Sequence, residues 1–335
     1  MAVTTANVAN LASTVAYTPA ETIELMSRIG ARKGRMRPDK IFMSAFSSGC
    51  LVSFASASAL IATAAPWFQE NAPGLIRMIS GLVFPSGIVM ILLSGGELFT
   101  GSNMITGVSF LHGRLPIRKL LLHWLLCFLG NMAGALFVMA VIVGYGGVFE
   151  NEIFRNQAIA TATSKLLVPS WHQIFLRGIG CNWLVCLSCY LGLQGKDLTS
   201  KAVGMWWPIF AFVTIGLEHV VANMFFIPIG IFLHGPGISV GLYIWKGIIP
   251  TMLGNMIGGG IFCGLFYWYM HILGEPDIMV DGTYYQAQAQ MEEGNLFTVR
   301  SGTIVEEEGG KSSTNSSGEQ IHRQGVVLAS TTKVQ

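Results

Sequence analysis

Apolar stretches long enough to cross a bilayer alternate along the chain with short polar connections. Six stand out, at residues 40–65, 75–111, 117–145, 171–194, 203–234 and 243–273. A transmembrane helix needs about 20 consecutive apolar residues. The second and fifth stretches are too long for one straight helix, and each carries Gly and polar residues near its middle. Each is therefore expected to be discontinuous, with two half-helices around a break. The pattern predicts an all-α membrane protein of six transmembrane helices, the second and fifth of them broken.

The flanks read differently, which divides the chain into residues 1–39, 40–274 and 275–335. Residues 1–17 form an arm without an apolar run, so no signal peptide is expected. The arm also lacks acidic residues, which keeps a transit-peptide reading open. Thr18, Pro19 and Glu21 then make a helix start, with a capping Thr, Pro at the first helical position and Glu three residues after the cap. Ile23, Met26 and Ile29 give this helix one apolar stripe, and Arg28, Arg32, Lys33, Arg35 and Arg37 follow. It is expected to lie on the cytoplasmic membrane face or to be a solvated helix. From Glu275 onward the chain is polar and rich in Gly, Ser, Glu and Gln, the composition of a disordered tail.

Composition supports lipid as the solvent of the middle region. Hydrophobic residues make up 52% of the chain and charged residues 11%, against about 25% charged in soluble domains. The net charge of +2 comes with no basic stripe interleaved with aromatics, so nucleic acid is not an expected partner. Lys and Arg cluster before the first span, after the second (Arg114, Arg118, Lys119) and after the fourth (Lys196, Lys201). Glu70, Glu150 and Glu152 fall in the opposite loops. The bias places both termini in the cytoplasm.

The halves resemble each other. Gly130-Asn131-Met132-Ala133-Gly134 in span three matches Gly254-Asn255-Met256-Ile257-Gly258 in span six. The breaks correspond as Gly96-Glu97-Leu98-Phe99-Thr100-Gly101 and Gly216-Leu217-Glu218-His219-Val220. Three spans is an odd number, so the second half enters the membrane in the opposite sense, as an inverted three-plus-three repeat. Backbone freed by a break must be buried in protein or line a polar cavity. The solute path is therefore expected between residues 97–103 and 216–223.

His219 is the leading candidate for chemistry. It lies deep in an apolar span at a break, beside Glu218 and one turn before Asn223. Intramembrane ionisable groups are costly and face a cavity or a partner, and an imidazole can donate a hydrogen bond to an anion or exchange a proton with it. A carboxylate on an anion path would repel its solute. Glu97 and Glu218 are therefore expected off the path, accepting hydrogen bonds from backbone N–H groups of the breaks. Thr100 either faces the path or caps the half-helix that follows it. Asn131 and Asn255 are expected to tie helices together, and Asn182 is open between that role and one on the path. The cysteines Cys50, Cys127, Cys181, Cys186, Cys189 and Cys263 sit in apolar runs and are expected as free thiols. The iron–sulfur-like spacing of 181, 186 and 189 falls where no loop can wrap a cluster. No nucleotide loop or Ser-His-Asp set is apparent. The expectation is no enzyme, no metal and no cofactor, with a membrane enzyme built on a buried His as the alternative of another class.

At these residues the chain resembles the formate/nitrite transporter family. The motifs are Glu97-Leu98-Phe99-Thr100-Gly101, Gly180-Cys181-Asn182-Trp183-Leu184-Val185-Cys186-Leu187, Glu218-His219-Val220-Val221-Ala222-Asn223-Met224-Phe225 and Gly254-Asn255-Met256-Ile257-Gly258-Gly259. The resemblance spans about residues 18–273. The resemblance implies an aquaporin-like protomer, a homopentamer with one pore per subunit, and passage of small monovalent anions or their conjugate acids. His219 matches the family's central His, Thr100 its break-loop Thr and Lys165 its vestibule cation. The two apolar constrictions map to Phe84, Ile88 and Leu98 on one side and Phe212 on the other. Glu-Leu-Phe-Thr-Gly at 97–101 looks like the nitrite branch, and the long tail looks fungal. The resemblance thus implies nitrite uptake at the plasma membrane in nitrate assimilation, coupled to protons through His219. The alternative is a formate or general weak-acid anion channel without proton coupling. An aquaporin's two Asn-Pro-Ala boxes are missing from the breaks.

Overall fold

The computed structural model describes residues 15–286; the expected arm up to residue 14 and the tail from residue 287 lie outside them. The chain opens with α1 (Pro19–Gly34). The Thr18 hydroxyl accepts from the Glu21 amide at 3.3 Å, and the Glu21 carboxylate accepts from the Thr18 amide at 2.8 Å. This reciprocal cap stabilises the helix start by about 1 kcal/mol.

Span one is α2 (Pro38–Ala62), followed by the short α3 (Pro66–Asn71). Span two is α4 (Pro73–Leu93) and the half-helix α5 (Phe99–Leu111). Span three is α6 (Ile117–Tyr145). The connecting α7 (Glu152–Leu166) leads to α8 (Trp171–Gln194) as span four. Span five is α9 (Leu198–Ile215) and the half-helix α10 (Val220–Phe232), and span six is α11 (Val240–His271). Both breaks fall inside the stretches that were too long for one helix, at 94–98 and 216–219.

The two halves are built alike. In each, the third span packs most closely on the first, α6 on α2 and α11 on α8. Glycine permits this approach. A Cβ on Gly134 would land on the Phe46 carbonyl, and one on Gly258 on the Ile179 carbonyl. A preceding helix covers each half-helix, α1 on α5 and α7 on α10. The repeat therefore comprises four parts, a covering helix and three spans.

This placement corrects the expectation for α1. Its apolar stripe is buried in protein, where Ile23 and Met26 join Met104, Ile105 and Val108 of α5 in one cluster. The expected tail boundary also moves. Residues beyond Glu275 pack on α1, with Arg28 Nη2 donating to the carbonyls of Ile278 (3.1 Å) and Thr283 (3.0 Å). The Tyr17 hydroxyl donates to Asp281 at 2.6 Å.

Candidate functional site

Each break begins where a glycine takes a left-handed backbone, Gly95 at φ 76° and Gly216 at φ 86°. Residues with side chains adopt that region only under strain. The chain then runs extended into the cap of the half-helix. The caps are Leu98 (φ −108°, ψ 124°) and His219 (φ −108°, ψ 119°). The two positions are repeat equivalents, so one fold element presents an apolar residue in the first half and an imidazole in the second.

The breaks free backbone groups inside the membrane domain, and two amides satisfy them. Asn131 Oδ1 accepts from the Phe99 amide at 2.9 Å, while its Nδ2 donates to the carbonyls of Ala45 (2.8 Å) and Glu97 (3.0 Å). Asn255 Oδ1 accepts from the Val220 amide at 2.9 Å, and its Nδ2 donates to the carbonyls of Gly178 (2.8 Å) and Glu218 (2.9 Å). Each amide uses three of its four hydrogen-bonding positions on main chain.

Glu97 and Glu218 were expected to take those backbone N–H groups, and the structure corrects this. The main-chain donors go to the asparagines, and each carboxylate is paired with a lysine from the covering helix. Lys33 donates to Glu97 at 2.5 Å and Lys165 to Glu218 at 3.0 Å. Asn223 Nδ2 also donates to Glu218, at 2.9 Å. A buried carboxylate needs a cation or several donors, and one N–H at each break cannot supply that.

His219 is held in one tautomer. Its Nδ1 accepts from the Ala222 amide at 3.1 Å. The proton of the neutral ring therefore sits on Nε2, which lies 2.9 Å from Thr100 Oγ1. Thr100 comes from the other half of the repeat, so the two breaks meet here.

Among the described cavities, two border His219 of this pair. A cavity of about 380 Å³ opens between α2, α4, α7 and α9, lined by Arg77, Gln157, Lys165, Phe84, Phe212 and His219 among others. It lies on the face away from α1. Beyond it, Val52, Phe84, Ile88, Leu98, Phe212 and His219 enclose about 10 Å³, at the limit for one water molecule. The Phe84 and Phe212 rings meet edge to face with centroids 5.8 Å apart. The expected grouping of constrictions therefore changes. Phe84 stands with Phe212 at the floor of the large cavity, and Ile88 and Leu98 close the far side.

Asn182, open between tying helices together and lining the path, takes the first role. It is buried, and its Nδ2 faces the Thr100 carbonyl (3.1 Å), Asn103 Oδ1 (3.3 Å) and the Asn255 carbonyl (2.6 Å). It ties the two breaks together behind the pore. Arg77 and His123 went unnoticed in the sequence, and Lys33 was noted only as part of a basic run. His123 carried the same signal as His219, an ionisable residue within an apolar span. Lys33 was hidden in a basic run from which only helical phase selects it.

Known proteins resemble this chain in sequence and fold. A family profile described as formate/nitrite transporter matches residues 20–269. The probable formate transporter of Methanothermobacter thermautotrophicus is 35% identical over 267 residues, covering 76% of this chain and 97% of its own. The formate channel FocA of Haemophilus influenzae is 35% identical over 280 residues, covering 77% and 96%. A solved pentameric formate channel with formate bound superposes with a TM-score of 0.62 at 26% identity, covering 70% of this chain and 98% of that one.

Proposed function

The chain belongs to the formate/nitrite transporter family, and from that premise we propose that it carries nitrite, as the anion or as nitrous acid, across the plasma membrane by proton-coupled uptake. Its fold is that of a six-helix membrane transporter with an inverted repeat, and its relatives are transporters and channels rather than enzymes.

The observation that carries the reading is the sequence of groups from cavity to chamber. Arg77 and Lys165 line the approach, the Phe84–Phe212 pair narrows its floor, and His219, whose Nε2–H meets Thr100, borders both the cavity and the chamber. The cations raise the local concentration of an anion. A bare charge at the centre of a bilayer costs at least about 3 kcal/mol. The 10 Å³ chamber leaves almost no room for a hydration shell. An anion that takes a proton entering from the outer cavity, while the His219 Nε2–H donates a hydrogen bond to it, crosses Leu98 and Ile88 as the neutral acid. Both termini then face the cytoplasm and the large cavity faces outward, as the Lys and Arg distribution expects.

Formate is the second reading, favoured by the printed activities of the relatives. Nitrite rests on the Glu97-to-Gly101 motif. A homopentamer is part of the proposal, supported by the assembly of the superposed formate channel and by lipid-length helices whose outer faces carry exposed Leu121, Leu125 and Trp207. The test is uptake of labelled nitrite and formate into proteoliposomes, scanned over external pH with and without a proton gradient. Nitrite uptake that rises on outside acidification and exceeds formate supports the reading. Fluxes indifferent to the gradient reduce it to anion conduction.

A further inference from the structure

On the side of the fold near α1, a second polar cluster lies outside the path from the large cavity. His123 and Cys127 are one turn apart on α6, and both face Glu97 of the first break. His123 Nε2 lies 3.3 Å from Cys127 Sγ, 3.3 Å from Ser102 Oγ and 3.3 Å from Glu97 Oε2. The carboxylate oxygen, ring nitrogen and sulfur all fall within 4.8 Å of one another. His123 Nε2 either donates its one proton or accepts one from the Cys127 thiol or the Ser102 hydroxyl, so it cannot bond well to all three neighbours at once. Glu97 Oε2 is buried and makes no well-formed hydrogen bond, its nearest donor being His123 Nε2 at 3.3 Å. Its partner oxygen Oε1 is already taken by Lys33. A nitrogen, a sulfur and an unsatisfied carboxylate oxygen thus converge on one point.

We propose that Glu97, His123 and Cys127 form a binding site for one thiophilic monovalent cation of the copper(I) and silver(I) class. Thiolate is a soft ligand and selects such ions, with imidazole compatible beside it. Charge decides between one and two positive charges. With the Cys127 thiol protonated, Lys33 balances Glu97. When a monovalent cation bonds to Cys127 Sγ, the thiol proton leaves to solvent past the partly exposed Lys33 side chain, and the pocket stays neutral. A divalent ion would leave one uncompensated positive charge in a dry site. The ring proton of His123 then sits on Nδ1, and Ser102 Oγ stands as a fourth donor atom.

The site exists in one half only. Counted from Asn131 and Asn255, the second half holds Gly247 and Thr251 where His123 and Cys127 stand. Glu97 directly precedes Leu98, the cap residue that closes the small chamber. A bound cation links α6 to that break, and occupancy therefore slows solute flux. The binding site stands without the proposed transport activity; only the flux consequence rests on it.

The test uses the purified full chain with Ag⁺ as probe. X-ray absorption of the first bound equivalent is expected to show one sulfur with nitrogen and oxygen neighbours. His123→Gln is expected to weaken that equivalent roughly tenfold or more, and Cys50→Ser, outside the cluster, to leave it unchanged. An all-sulfur shell on the wild-type protein, as Cys186 and Cys263 in their shared cluster would give, overturns the site whether or not the variants fold. Binding undiminished by His123→Gln also overturns it. In proteoliposomes, one equivalent of Ag⁺ should slow wild-type flux and spare Cys127→Ala. Equal slowing of both refutes the link to the break.

Discussion

Replacing Asn131 or Asn255 with Leu tests how the breaks are held. Leucine keeps the branched shape of asparagine but not its hydrogen bonds, so the change removes those bonds and adds some crowding. At Asn131 it strips the partner from the Phe99 amide and from the carbonyls of Ala45 and Glu97. At Asn255 it strips the Val220 amide and the carbonyls of Gly178 and Glu218. A buried main-chain group left unpaired costs about 1–3 kcal/mol, whereas interhelical hydrogen bonds in membranes average about 0.6 kcal/mol. Three groups are affected at each site, and water cannot reach them. The expected loss is therefore about 2–9 kcal/mol, and because the bonding is the same at both sites, the two losses should agree within about 1 kcal/mol. The assay is thermal unfolding of the detergent-solubilised protein, where a drop of at least about 5 °C is expected for each variant. Asp at the same positions separates acceptor from donor. It can still accept from Phe99 or Val220 but cannot donate to the two carbonyls, and it adds a charge beside a carboxylate, so it should be worse than Leu. Wild-type stability of either Leu variant, or a large difference between them, would refute the reasoning.

Other consequences are measurable in the same preparations. His219→Phe removes the Nε2–H that faces Thr100, and uptake in proteoliposomes should lose its dependence on external pH; unchanged dependence refutes a proton role for the ring. Lys165→Met leaves Glu218 with Asn223 as its remaining polar partner, so thermal stability and uptake should both fall. Adding Glu218→Gln should recover stability while uptake stays low, because the approach cation is still missing, and no recovery would show that the pair does not act as one unit. Arg28→Ala removes the donors to Ile278 and Thr283, and limited proteolysis should then cut within 275–286 faster; an unchanged rate would mean that these bonds do not hold the segment.

The linear pattern carried the span count, the positions of both breaks and the inverted repeat, since each is a matter of run length and of polar residues where lipid forbids them. It also marked His219, which borders the large cavity, and Thr100, whose hydroxyl meets the ring. The partners of Glu97 and Glu218 were not legible. Their lysines lie 64 and 53 residues away along the chain, and only the packing of α1 on α5 and α7 on α10 brings them in. Asn182 shows the same limit. The span gave its depth, but its rotation about the axis of α8 turned it from the path toward the backbone of Thr100 and Asn255. His123 sat in plain view as an ionisable residue in an apolar run, and its significance appeared only once Glu97 and Cys127 surrounded it. Hydrophobic run length determines which segments enter the membrane, because transfer from water to lipid is a property of each segment by itself. Which side chains meet inside depends on helix rotation and close approach, set here by glycines that let α6 reach α2 and α11 reach α8, and that information belongs to pairs of segments rather than to any one of them.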